Sequence, residues 1–494
     1  MALLERSLRA RDPDPTPLRL LAEQAFSRAA GAPLVGGNAV RILKDAAENY
    51  PAWLAAIRAA RHRIFFENYI VADDHVGREF VEALAAKARA GVRVYALYDW
   101  LGALGAARGA FWRPLIEAGG AVRCFNPPRL DSPFAWLTRD HRKMIAVDGE
   151  VGYVSGLCVS RKWEGNPARC IDPWRDTGME VRGPAVADIE AAFAEVWGVT
   201  GAPLPPTELS DRAQLASPGE VMLRVLATVP NLAGLYRLDQ LIAAMATRTL
   251  WLTDAYFVAI SPYVQALRAA AFDGVDVRLL VPGASDLPML SRLSRTGYRA
   301  LLEAGIRVFE WNGPMLHAKT AVADGRWARI GSTNLNIASW ISNYELDVAV
   351  EDERLAHEME AMYEQDLARS TEIVLGARRR VQAAVRVHRE HRHHRGTGSA
   401  SRAAAGALRI GNTVGAAITN RRVLAPTEAG IMKGVAVGFL ALAAVGIFWP
   451  AAIAWPLVAL AGWMGVSLLI RARKLGRQSR RDATESAEPP GPLR

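Results

Sequence analysis

The sequence predicts an α/β protein of two related lobes that share one site on a pseudo-two-fold axis, followed by a C-terminal membrane hairpin. Three observations carry this prediction. Strand-like and helix-like segments alternate in the same order twice; the spacing H-x-K-x4-D occurs twice, beginning at His141 and at His317; and residues 434–470 form a 37-residue stretch without a charge.

In chain order, residues 1–35 form an N-terminal segment with a helix around "PLRLLAEQAFSRAA", and Gly36-Gly37 reads as a turn. The first lobe, 36–205, opens with the strand-like "RIFFENYIV" (63–71). An amphipathic helix "GREFVEALAAKARAG" (77–91) and the alternating strand "VRVYALYD" (92–99) follow. The second lobe, 206–377, repeats this order in "TLWLTDAYFV" (249–258), "SPYVQALRAAAFDG" (261–274) and "VDVRLLVPG" (275–283). Each lobe continues with a helix, "FWRPLIEAGG" or "YRALLEAGI", then a short strand, a loop and the H-x-K segment. Strands alternating with helices imply a mixed or largely parallel sheet in each lobe.

The net charge of +10 is not spread evenly. Residues 378–433, a basic juxtamembrane linker, hold 12 basic and 2 acidic residues, and the basic tail 471–494 holds 7 and 3. That leaves 41 basic against 45 acidic in residues 1–377, a balance that argues against a nucleic-acid groove. Cys124, Cys158 and Cys170 provide neither a disulfide framework nor a zinc spacing, which points to a reducing compartment. The opening "MALLERSLRARDPDP" is charged and does not read as a secretory signal. The run "RVHREHRHHR" holds four of the nine histidines, but its interleaved arginines favour a solvated basic stretch over a metal site.

As one helix, 434–470 would be about 55 Å long against a hydrocarbon core of about 30 Å. Pro450 and Pro456 supply a break, giving arms 434–449 and 457–470 with Trp449 and Trp455 at the turn. Lys433 on one side and Arg471, Arg473 and Lys474 on the other place both ends at the cytoplasmic face. A shallow re-entrant insertion and a buried hairpin of a soluble domain are the alternatives.

In "HRKMIAVD" and "HAKTAVAD" the histidine and lysine are two residues apart, so on a strand both project from one face. Two such faces packed about a pseudo-two-fold axis would bring His141, Lys143, His317 and Lys319 into one cleft. Imidazoles serve as nucleophile and as general acid or base, and ammoniums stabilise anionic oxygens, so a phosphate group is the natural substrate. A solvated strand end explains one such pair; its repetition in a repeated context does not fit that explanation. Gly331 and Ser332 of "GSTN" could form a tight turn with donors for phosphate oxygens.

These segments, with "PMLHAKT", "GSTNLNIASWISNYELDV" and "PWRDTGMEVRGPAV", resemble the phospholipase D superfamily, and within it bacterial cardiolipin synthases, over about residues 36–370. The resemblance implies duplicated phospholipase D-type αβ sandwich lobes with one active site at their interface and neither metal nor other cofactor. One histidine attacks phosphorus to give a phosphohistidine; the other protonates the departing alcohol and activates the incoming one. Carried over, His141 and His317 are the catalytic pair, with His141 the nucleophile by family habit. Lys143 and Lys319 bind phosphoryl oxygens, and Ser332 and Asn334 add hydrogen bonds. Asp176 and Glu345, the acidic residue beyond each motif, orient the histidine of their own motif, while Asp148 and Asp324 support the local fold. The first lobe departs from the pattern: "SGLC" stands where the second has "GSTN", so Ser155 replaces glycine, Gly156 replaces serine and Cys158 replaces asparagine. Cys158 reads as a small buried thiol rather than a nucleophile.

The expected function is a phosphatidyltransferase that makes cardiolipin from phosphatidylglycerol through a phosphohistidine, attached to the inner membrane with its lobes on the cytoplasmic side and with anionic phospholipids, phosphatidylglycerol, as partners. A hydrolytic phospholipase D, a nuclease of the same superfamily and a non-catalytic membrane scaffold are the alternatives.

Overall fold

The structure is a computed structural model describing residues 17–375 except 105–108, 129–137, 259 and 287, together with 381–383 and separate positions between 437 and 473. The chain divides into two compact units, one of residues 1–125 and 138–402, the other of 126–137 and 403–494.

Among the described residues the first unit is organised by 16 strands in one ladder of order β16-β15-β11-β10-β9-β12-β13-β14-β8-β1-β7-β6-β5-β2-β3-β4. The first-lobe strands are β1 (Val35–Lys44), β2 (Arg63–Asn68), β3 (Arg93–Asp99), β4 (Ala121–Phe125), β5 (Lys143–Val147), β6 (Val151–Ser155) and β7 (Thr177–Arg182). Their second-lobe counterparts are β8 (Val221–Thr228), β9 (Thr249–Thr253), β10 (Asp276–Pro282), β11 (Arg307–Trp311), β12 (Thr320–Ala323), β13 (Trp327–Gly331) and β14 (Glu345–Glu351). Read outward from the antiparallel β1–β8 pair, the two halves have the same strand order, and β15 (Ser370–Leu375) and β16 (Val381–Ala383) extend the second. Within each half, β2–β3–β4 and β9–β10–β11 are parallel and the remaining pairs antiparallel. Each half is thus a mixed sheet.

Helices cover both faces. The N-terminal helix α1 spans Pro17–Ala30, as its sequence suggests. In the first lobe α2 (Asp45–Ala59) and α3 (His75–Arg89) pack on one face of the sheet. Helix α3 starts where the Asp74 side chain accepts the Gly77 N–H at 3.1 Å and ends before Gly91 at φ +86°, with Phe80, Val81 and Leu84 turned inward. Short helices α4 (Arg113–Glu117) and α5 (Arg161–Glu164) follow. Helix α6 (Val186–Val199) covers the other face; in the second lobe α7 (Gly234–Met245), α8 (Ser261–Phe272) and α9 (Pro288–Leu302) precede its counterpart α10 (Glu353–Ala368). Ile189, Phe193 and Val196 of α6 and Leu355, Met359 and Tyr363 of α10 belong to one apolar cluster shared by both lobes. Burial of each such side chain stabilises by about 1.5–3 kcal/mol relative to exposure, so the lobes are fused through their core.

Strands β5, β6, β12 and β13 are buried on both faces, which is why "KMIAV" and "VGYVS" read as continuous apolar runs rather than alternating ones. Two expectations are corrected. Gly36 and Gly37 lie inside β1, where the register with β8 shifts between Val35 and Asn38, and the positive φ of Gly37 accommodates that irregularity instead of closing a turn. His141 and His317 precede their strands, because the backbone at each is bonded to the other lobe.

The predicted hairpin, basic linker and tail lie mostly outside the described residues. Trp449 and Trp455, which are described, are exposed. Among the described residues no helix is long and apolar enough to cross a membrane.

Candidate active site

Each H-x-K segment is held by the opposite lobe. The His141 N–H donates to Tyr344 O at 2.9 Å and Tyr344 N–H to Arg139 O at 2.8 Å; symmetrically, His317 N–H donates to Arg175 O at 2.7 Å and Arg175 N–H to Met315 O at 2.9 Å. Tyr344 and Arg175 each immediately precede a carboxylate, so this exchange sets that carboxylate beside the other lobe's imidazole. His141 Nδ1 lies 2.8 Å from Glu345 Oε2, and His317 Nδ1 lies 2.8 Å from Asp176 Oδ2. The pairing is therefore crossed, a correction to the expectation that each carboxylate serves its own motif. Two arginines brace the crossing. Buried Arg142 donates to the Glu345 and Thr228 carbonyls, and Arg175 bonds Asp366 of α10 through Nε at 2.9 Å and Asp45 through Nη1 at 3.1 Å.

A carboxylate on Nδ1 fixes the Nδ1–H tautomer and leaves the Nε2 lone pair for chemistry. Burial pushes His141 down to about 4, with the Glu345 carboxylate opposing and the Lys143 ammonium adding to the fall. Burial and then Lys319 push His317 down to about 3 against the pull of Asp176. Burial alone would raise Asp176 and Glu345, but the facing imidazole, its hydrogen bond and a lysine hold each below its ordinary value. Both imidazoles are thus neutral beside ionised carboxylates. The influence also crosses the axis: Lys319 lowers His141 and Lys143 lowers His317, so the four groups share one electrostatic environment.

Lys319 Nζ lies 2.9 Å from Nδ1 and 3.2 Å from Nε2 of His317 and donates to the His317 carbonyl; Lys143 donates to the His141 carbonyl. Burial lowers Lys319 to about 8. Ser332, expected to contact phosphate, has its hydroxyl committed to Glu345 Oε2 at 2.6 Å while accepting the Leu346 N–H at 2.9 Å. Asn343 adds a third donor to Glu345 at 3.2 Å. Asn334 is buried, and among the described residues its Oδ1 has no partner. Asp148 and Asp324 occupy turns at φ +55°, where Asp148 accepts N–H groups of Arg61, His62 and Arg63 and Asp324 those of Thr247, Arg248 and Thr249. Cys158 is buried, and burial raises its thiol, which disfavours a thiolate. Among the described residues no group of three or more His, Cys, Asp or Glu side chains could hold a metal ion; the histidine-rich basic run lies outside them.

Sequence reasoning missed the aromatic lining. Tyr69 stands edge-on to His141 with ring centres 4.8 Å apart. Trp163, Trp174 and Tyr256 surround His317 at 5.2, 5.8 and 5.8 Å. Both tryptophans sit on the connection from Gly156 to Asp176, which advances 20 positions where that from Ser332 to Glu345 advances 13. That length difference was the available signal.

A family model described as "Cardiolipin synthase, PLD-like domain" matches residues 239–367. The chain is 35% identical over 363 residues to cardiolipin synthase A of Pseudomonas aeruginosa, covering 72% of this chain and 73% of that protein. It is 32% identical over 349 residues to a cardiolipin synthase of Alkalihalophilus pseudofirmus, covering 69% and 68% respectively. In fold it is similar to the crystal structure of phosphatidylserine synthase from Haemophilus influenzae, with a TM-score of 0.58 at 17% identity, covering 71% of this chain and 92% of that one. With its two histidines held by crossed carboxylates, the chain belongs to the phospholipase D superfamily and is a phospholipase D-type, cardiolipin synthase-like enzyme.

Proposed function

We propose that the protein is a phosphatidyltransferase that makes cardiolipin from two molecules of phosphatidylglycerol through a phosphohistidine. The crossed His141–Glu345 and His317–Asp176 pairs are the observation that carries this reading. One imidazole attacks phosphorus through Nε2, forming a P–N bond as the P–O bond to glycerol breaks. The other histidine gives that oxygen a proton and then takes one from the headgroup hydroxyl of a second phosphatidylglycerol, whose oxygen displaces the imidazole. Lys143 and Lys319 face the non-bridging oxygens, and Asn334 supplies a further polar contact. The diester anion offsets the burial and lysine repulsion that keep both imidazoles neutral, so one of them can carry a proton once substrate is bound.

The near-neutral charge of residues 1–377 and the basic flanks of 434–470 support an anionic lipid over a nucleic acid, with that segment inserted from the cytoplasmic side of the inner membrane. Incubation of the purified protein with phosphatidylglycerol alone, followed by lipid mass spectrometry, is expected to give cardiolipin and glycerol. Phosphatidic acid without cardiolipin would assign it instead to hydrolytic phospholipase D activity.

A further inference from the structure

The two half-sites fix their carboxylates with different donors. In the second lobe Ser332 donates to Glu345 Oε2. The equivalent backbone position in the first lobe is Gly156: its N–H donates to Thr177 O at 3.1 Å, as that of Ser332 donates to Leu346 O at 3.0 Å. A Cβ on Gly156 would lie 2.2 Å from Asp176 Oδ1, so no side chain fits there. The missing donor comes from elsewhere. Trp163, on the one-turn helix α5 and fully buried, donates its indole N–H to Asp176 Oδ2 at 2.8 Å, the same oxygen that holds His317 Nδ1. The Asp176 Oδ1 atom accepts the Thr177 N–H at 2.9 Å, which fixes the second oxygen. Among the described residues the buried indoles of Trp53, Trp112, Trp311 and Trp340 have no partner for their N–H groups, so burial of an indole in this protein does not by itself secure a hydrogen bond.

We infer that Trp163 is the positioning residue for His317: its N–H fixes the Asp176 carboxylate, which fixes the tautomer and ring orientation of the imidazole. Gly156, by leaving room, and Trp163, by donating, together do for Asp176 what Ser332 does for Glu345, with a shorter acid and a donor brought in on the longer connection. This rests on the two-histidine reading of the site, and the test has one arm that needs no substrate.

The test compares the full-length protein in detergent with Trp163→Phe, and with β-benzothienylalanine incorporated at 163, which keeps the indole shape but replaces N–H with sulfur. In 15N-histidine-labelled protein, with the His317 signals assigned by their loss in His317→Ala, the unsubstituted enzyme is expected to show a fixed Nδ1–H tautomer and both variants a mixture. With phosphatidylglycerol, kcat is expected to fall about 10- to 100-fold, the size of one hydrogen bond to a charged group, while KM stays within about threefold. A His317 tautomer that stays fixed in the benzothienyl variant, or a kcat there within about twofold of the unsubstituted enzyme, overturns the proposal. Absence of any turnover in the unsubstituted protein would count against the function and leave the tautomer arm to decide the role of Trp163.

Discussion

His141 and Glu345 are 204 positions apart in the chain and 2.8 Å apart in the site. The contact exists because the backbone of each H-x-K segment pairs with the segment preceding the other lobe's carboxylate, so the site is made by the association of the halves. Glu345→Gln should therefore disable His141 rather than His317: the amide can present its N–H to Nδ1 and favour the wrong tautomer. Turnover of phosphatidylglycerol is expected to fall about 100-fold or more, with the melting midpoint little changed. In 15N-histidine spectra the His141 signals should move and those of His317 should not.

On the proposed mechanism Lys319 should set the alkaline side of the pH profile. Held at about 8 in the free enzyme, it should give kcat/KM an alkaline limb near pH 8, since that ratio reports the unliganded site. Lys319→Arg keeps the charge well above that pH, and its kcat/KM should stay level through pH 9 even where the altered head lowers the plateau.

The buried imidazoles also set how stability depends on pH. Their folded values of about 4 and about 3 lie below the ordinary 6.5, so between pH 6.5 and about 4 the unfolded chain takes up protons that the folded site refuses. Stability falls as pH drops through that window. Chemical denaturation of His141→Gln/His317→Gln at pH 7 and pH 5 should show a smaller loss than the parent protein.

Asp324 serves the fold. Three backbone N–H groups at the start of β9 and the positive φ of its own residue depend on it, and those N–H groups hold its carboxyl below the ordinary range despite burial. Asp324→Ala should cost about 2 kcal/mol or more, read as a lower denaturation midpoint. Asp148→Ala should behave alike, since it caps the start of β2 in the same way.

Much of this was legible in the sequence because duplication is a long-range signal that needs no contact information. The repeated H-x-K-x4-D singled out the two histidines and two lysines that the structure buries in one electrostatic environment, and the matched order of strands and helices anticipated two like halves. The crossed assignment of Asp176 and Glu345 was not legible: spacing along the chain ties a carboxylate to the nearer motif, whereas the backbone pairs Tyr344–His141 and Arg175–His317 are tertiary. Strands β1 and β8, which join the lobes, were missed because Gly36-Gly37 imitates a turn and "VMLRVLAT" has no partner nearby in sequence. The role of Trp163 escaped notice because a buried tryptophan usually signals packing, and only its position against Asp176 makes it a donor.

The most direct test of the two-histidine account is lipid turnover by His317→Ala, measured beside its binding to vesicles containing phosphatidylglycerol. The account predicts no detectable turnover with binding unchanged. Retained turnover in that variant would contradict it.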